Sequence, residues 1–141
     1  MSIEQVNIMP VDELRDEPMM AHLIDSLEGG EDIGHYGRLV FAMIARHFMD
    51  EEEVVEYLTK NPEFDEHQAR GLLAQVAARD YNPPKRERIL EWMRRQEFPI
   101  CPEPDDASQC NVYRNLQFPQ EVYERISQFY EQGERNTAAN N

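Results

Sequence analysis

The segment from about Ile33 to Phe48 constrains the fold of this chain more than any other. Leu39, Val40, Phe41, Met43, Ile44 and Phe48 cover nearly the whole circumference of a helix there. A helix that is apolar all round must be enclosed by other elements. The neighbouring segments supply them. Pro18 suits a first helical position, Met19, Met20, Leu23, Ile24 and Leu27 repeat at helical spacing, and Gly29-Gly30 ends the run, which predicts a helix over 18–28. Asp50 with Glu53, and Asp65 with Gln68, are capping-box patterns that open two further helices. The first carries Val54, Val55, Tyr57 and Leu58 and stops before Asn61-Pro62; the second carries Leu72, Leu73, Val76 and Ala77. Tyr81-Asn82-Pro83-Pro84 breaks the chain ahead of a helix over about 85–96, and Pro119 opens a last one with Val122, Tyr123, Ile126, Phe129 and Tyr130. No segment sustains the period-two alternation of a strand. The expectation is an all-α fold: a compact bundle of five or six helices around the second, with one long irregular loop over 97–118. Residues 1–15 read as an N-terminal arm, 16–132 as the helical domain and 133–141 as a disordered tail.

A chain of 141 residues is long enough for one domain with its own core. No apolar run approaches the ~18 to 20 residues that cross a bilayer, and the N-terminus lacks a basic segment followed by an apolar one, so a soluble, cytoplasmic protein with no membrane partner is expected. Its 28 acidic residues against 14 basic ones leave a formal charge of −14. Repulsion by phosphate then argues against a nucleic-acid partner, since such affinity comes from Lys and Arg displacing counterions. Three causes of the acidity stay open: a surface adapted to concentrated salt, where screening removes that repulsion, an ordinary acidic domain, or mimicry of nucleic acid.

Two cysteines, Cys101 and Cys110, are too few for a disulfide scaffold, an all-cysteine zinc site or a four-thiolate cluster. Their separation is not that of a metal-ligand pair, even with His35 or His47 added. Neither lies at a helix start beside a recognisable base. There is no glycine-rich phosphate loop and no polymerase carboxylate triad. No catalytic residue, metal or cofactor is expected, and the chain reads as a non-enzyme.

The order and spacing of several landmarks carry more. Pro18-Met19-Met20, Glu28-Gly29-Gly30-Glu31-Asp32-Ile33-Gly34-His35-Tyr36-Gly37-Arg38-Leu39, Phe64-Asp65-Glu66, Tyr81-Asn82-Pro83-Pro84, Ile100-Cys101-Pro102 and Cys110-Asn111-Val112-Tyr113-Arg114 follow one another over residues 17–118. Together they resemble the C-terminal domain of the large subunit of archaeal and eukaryotic DNA primase. The resemblance implies a helical domain that assists a separate catalytic subunit by holding template and the 5′-triphosphate end of the primer. It also implies a [4Fe–4S] cluster on four cysteines, of which this chain keeps two. Cys101 and Cys110 match the third and fourth positions, while the first falls at Met19 and the second at Arg86. Neither residue replaces a thiolate, so the resemblance implies a degenerate form, like the small cluster-free subunits that some archaeal primases carry. If so, Met19, Arg86, Cys101 and Cys110 should converge as vestigial cluster positions, with the cysteines as free thiols in a reducing cytoplasm or as an oxidised pair in vitro if the two sulfurs meet. The family's phosphate motif, His-x-x-Arg at the start of the central helix, matches His35 and Arg38, with Gly34 where a polar residue is usual. A Tyr and a His of the fourth helix fall at Gly71 and Gln75, which weakens the case for direct handling of the primer end.

Residues 85–95 hold five basic side chains against two acidic, independently of any resemblance. Arg88, Trp92 and Arg95 fall on one helical face and could track a phosphate backbone and stack a base; equally, Trp92 could pack in the core with its arginines paired to carboxylates. The reading is a non-catalytic module that binds nucleic acid or an initiating nucleotide through His35, Arg38, Arg88, Trp92 and Arg95, in support of primer synthesis by a primase catalytic subunit or another replication protein. The alternative is a cluster-free helical adaptor on replication or mobile-element machinery that touches no nucleic acid.

Overall fold

The apolar segment is enclosed as its composition requires. In a computed structural model that describes residues 10–127, it forms helix α3, Gly34–Ala45, whose Leu39, Val40, Phe41, Ala42, Met43, Ile44 and Ala45 are all buried. Around it pack α2 (Pro18–Glu28), α4 (Glu51–Leu58), α5 (Glu66–Arg79) and α6 (Arg86–Met93). Both capping boxes form: Asp50 accepts from the Glu53 amide at 2.9 Å and Asp65 from the Gln68 amide at 2.8 Å. Each such cap contributes about 1 kcal/mol. No strand occurs among the described residues.

The helices outnumber the expected five or six. Within the stretch read as an arm, Pro10–Leu14 is a short helix, α1, anchored by a fully buried Leu14. The long loop contains one turn of helix, α7 (Val112–Asn115), and residues 120–127 are helical up to the last one described. Residues 1–9 of the expected arm, the tail at 133–141 and residues 128–132 of the domain lie outside the described part. α3 stops three residues earlier than its apolar pattern, because the His47 and Phe48 amides bond back to Ile44 and Ala45 and tighten the last turn.

Its N-terminus is held from a distance. Gln96, just past α6, accepts from the Tyr36 amide at 2.8 Å and donates to the Ile33 carbonyl at 2.9 Å. The clasp explains Gly34, which has φ +78 and no room for a Cβ: one built there would lie 2.5 Å from Gln96 Oε1.

At the other end of α3, His47 lies edge-on to Phe118, with ring centroids 5.8 Å apart. Burial first, then the nearby Arg46 and Arg125 charges, lower its pKa from 6.5 to about 4 against the opposing pull of Asp80. The folded chain therefore keeps this imidazole neutral at pH values where the unfolded chain protonates it. Its contribution to stability is complete above about pH 6.5 and declines as the pH falls toward about 4. Thermal melts across that window should lose Tm more steeply for the native chain than for His47→Gln. Parallel slopes would show that His47 does not titrate as its surroundings dictate.

Candidate nucleic-acid interface

His35 and Arg38 lie on the first turns of α3 and diverge from there. His35 is exposed, its ring edge-on to Tyr36 at 5.2 Å. Arg38 is largely covered: its guanidinium bonds Asp32 at 2.9 Å and sits 4.3 Å from the centre of the Phe64 ring. Asp32 also accepts from the Gly34 amide at 2.9 Å, and that bond, followed by the one from Arg38, lowers its pKa. With Gly34 satisfied by Asp32 and Tyr36 by Gln96, two of the amides that make a helix start attractive to anions already have protein acceptors.

Tyr36, which the motif passes over, joins α3 to the basic helix. Its ring stacks on Trp92, centroids 5.6 Å apart and planes 20° from parallel. Arg88 lies over the same indole at 5.8 Å. Arg95 is held above its ordinary pKa by the Tyr36 hydroxyl and by Glu91. Glu91 is shared: it bonds Arg95 at 2.9 Å and stands 3.8 Å from Arg88, while both arginines remain more than half exposed. His35, Tyr36, Trp92, Arg88 and Arg95 thus form one aromatic and basic strip, two cations to one carboxylate. Arg38 is not part of it. Two residues beyond Tyr36, it faces the far side of α3 toward Phe64, because consecutive helical residues turn by ~100°. Trp92 is neither fully buried nor free.

Beside the strip a groove of about 560 Å³ opens between α3, the turn before α6 and α6 itself. Leu39, Met43 and Ile126 form apolar wall, Tyr81, Trp92 and Tyr113 contribute rings, and Lys85, Glu87 and Arg88 also line it. The Tyr113 hydroxyl donates to the Pro83 carbonyl, and burial raises its pKa to about 12. Arg46 fixes the turn by donating to the Tyr81 carbonyl and to Asp80, both at 2.9 Å.

Met19, Arg86, Cys101 and Cys110 come together although they are far apart in sequence. Glu17, fully buried ahead of α2, is the hub that sequence reading missed. One carboxylate oxygen accepts from the Met19 amide at 3.1 Å and the Cys110 amide at 3.0 Å, and the other accepts from the Asn115 side chain. Arg86 donates to the carbonyls of Gln109, at 3.2 Å, and Pro104. Met93 sulfur receives the Cys101 amide at 3.3 Å. Of the two states open to the cysteines the structure has the oxidised one: Cys101 and Cys110 form a disulfide, their Cα atoms 5.9 Å apart, with Cys110 in a left-handed conformation at φ 63. The loop folds back on itself and faces the two sulfurs, which sequence separation does not reveal. This donor set does not fit a [4Fe–4S] cluster, which needs four thiolates. The sulfurs at the third and fourth positions are bonded to each other, the first position is a fully buried thioether and the second is a cation engaged with loop carbonyls. Among the described residues no cluster of His, Cys, Asp or Glu could hold a metal ion, and no helix is long and apolar enough to cross a membrane.

Two curated proteins resemble the chain in sequence. The DNA primase large subunit PriL of Thermoplasma acidophilum is 33% identical over 75 residues, covering 50% of this chain and 22% of the relative. The protein of the same name from Thermoplasma volcanium is 35% identical over 75 residues, covering 50% of this chain and 23% of the relative. The chain is therefore similar to primase large subunits over half its length, and it spans less than a quarter of theirs. No family model matches it, and no solved structure does.

Proposed function

We propose that this chain is a non-catalytic primase-associated module that holds nucleic acid or an initiating nucleotide for a separate catalytic subunit. The similarity to primase large subunits supports the association. The observation that carries the binding is the strip of His35, Tyr36, Trp92, Arg88 and Arg95, where two largely exposed arginines share Glu91 beside stacked rings. Arginine forks suit phosphate and aromatic faces suit bases. Arg38, on the far side of α3 from the strip, is held by Asp32 and Phe64, and the binding is assigned to the strip without it. Met19, Arg86, Cys101 and Cys110 are read as the remains of a cluster site, now closed by the disulfide and the Glu17 network, which keeps the loop in place without iron.

The second reading, an adaptor without nucleic-acid contact, is favoured by the pairing of Arg38 with Asp32 and by the charge of −14. Fluorescence anisotropy with a 5′-triphosphate-ended primer–template, at low and high salt, separates the two. The module should bind at low salt and weaken as salt rises, and Arg88→Ala/Arg95→Ala should reduce both affinity and the salt slope, the slope by about one unit per lost phosphate contact. No binding at low salt, or a double variant that binds like the native chain, overturns the proposal in favour of the adaptor.

A further inference from the structure

We infer that the groove beside the strip receives one nucleotide of a bound single strand, its base between Trp92 and Tyr81 and its phosphate on Arg88. The inference rests on the nucleic-acid reading above and specifies what that surface accepts. A volume of about 560 Å³ lies in the range of small-ligand sites and exceeds the needs of one base with its sugar. The walls are apolar and aromatic, whereas the groove also includes the basic start of α6, in a chain that is acidic elsewhere. Charge complementarity thus selects a ligand with an anionic end and a flat apolar body.

The hydrogen bonds of the walls decide between a base and a peptide. The Tyr113 hydroxyl is committed to the Pro83 carbonyl, and Asn82 accepts from Arg125 at 3.1 Å. An extended peptide seated there would lose water from its own amides and carbonyls without gaining partners from those groups. A base pays no such cost, because it stacks through its faces and keeps its polar edge toward the mouth.

Trp92 links groove and strip, because it lines the one and stacks with Tyr36 in the other. Arg88 lies over the indole with only a 3.8 Å contact to Glu91. A base entering the groove takes the place of the guanidinium on the ring, and Arg88 turns to the phosphate of that nucleotide. Glu87 also lines the groove and opposes the phosphate, so the phosphate is placed on the Arg88 side.

The single tryptophan of the chain makes the test direct. Oligothymidylate should quench Trp92 emission saturably, while anisotropy of the same labelled strand reports total binding. An abasic strand of equal length, and the variant Ile126→Glu, which puts a like charge in the groove and leaves the strip intact, should each weaken binding by about tenfold and abolish the quench. Strand binding that is unaffected by Ile126→Glu and by loss of the bases, or a quench that survives Ile126→Glu, overturns the groove while leaving the strip in place. Quenching by free thymidine triphosphate without quenching by the strand also overturns it, in favour of a pocket for free nucleotide. Absence of any strand binding removes both readings together. Circular dichroism verifies the fold of Ile126→Glu, and if that variant is unfolded Tyr81→Ala, which removes a ring of the groove and leaves the strip intact, is read in its place: unchanged strand binding and quenching overturn the groove.

Discussion

Replacing Glu17 by alanine should lower folding stability by about 3–5 kcal/mol, the largest loss expected from one polar residue in this chain. The carboxylate is fully buried and holds three donors from separate places: the start of α2, the second cysteine and Asn115. Each buried donor left without a partner costs about 1–3 kcal/mol. Relief of the desolvation of a buried carboxylate offsets part of this, since Glu17 forms no ion pair among the described residues. Glu17→Gln should fall between, because one amide oxygen still accepts while the NH₂ group faces donors. Urea melts would show the effect as a lower midpoint at constant slope. A loss under about 1 kcal/mol would mean that the loop needs no tether at this point and that the disulfide alone holds it.

Met19→Ala should cost about 2–4 kcal/mol, as a buried large-to-small change at a fully enclosed site. Methionine suits that position because its unbranched chain fills irregular space, so Met19→Leu should cost less than about 1.5 kcal/mol. Equal losses for alanine and leucine would mean that shape rather than volume is what the site requires. Met19→Ala keeps the backbone amide that donates to Glu17, so its loss and that of Glu17→Ala should add unless the cavity left by the smaller side chain loosens that bond, and a cycle of the four proteins reads any such coupling.

Much of the fold was legible because its signals are local. Pro18 and the glycines at 29–30 bracket α2, and Asp50–Glu53 and Asp65–Gln68 each announce a helix start within four residues. What escaped was local as well but too short to show periodicity: α7 has four residues, α1 has five, and a single turn leaves no repeating apolar stripe. The candidate site was legible only in part. Arg88, Trp92 and Arg95 could be placed on one helical face from spacing, and the resemblance picked out His35 and Arg38. That Arg38 turns to Phe64 while Tyr36 turns to Trp92 depends on which neighbours pack against α3, and no pattern within α3 encodes it.

The sequence by itself determined the all-α class, the central place of α3 and the concentration of basic side chains at 85–95, because hydrophobic periodicity, capping and charge are written in adjacent residues. Only the tertiary structure decided that Glu17 reaches across 93 positions to Cys110, that Gln96 clasps Tyr36 across 60, and that the two cysteines meet. The physical reason is the same for all three. A glutamate, a glutamine or a cysteine looks in sequence like any other of its kind, and its role is set by which buried amide or sulfur the packed helices bring within bonding distance.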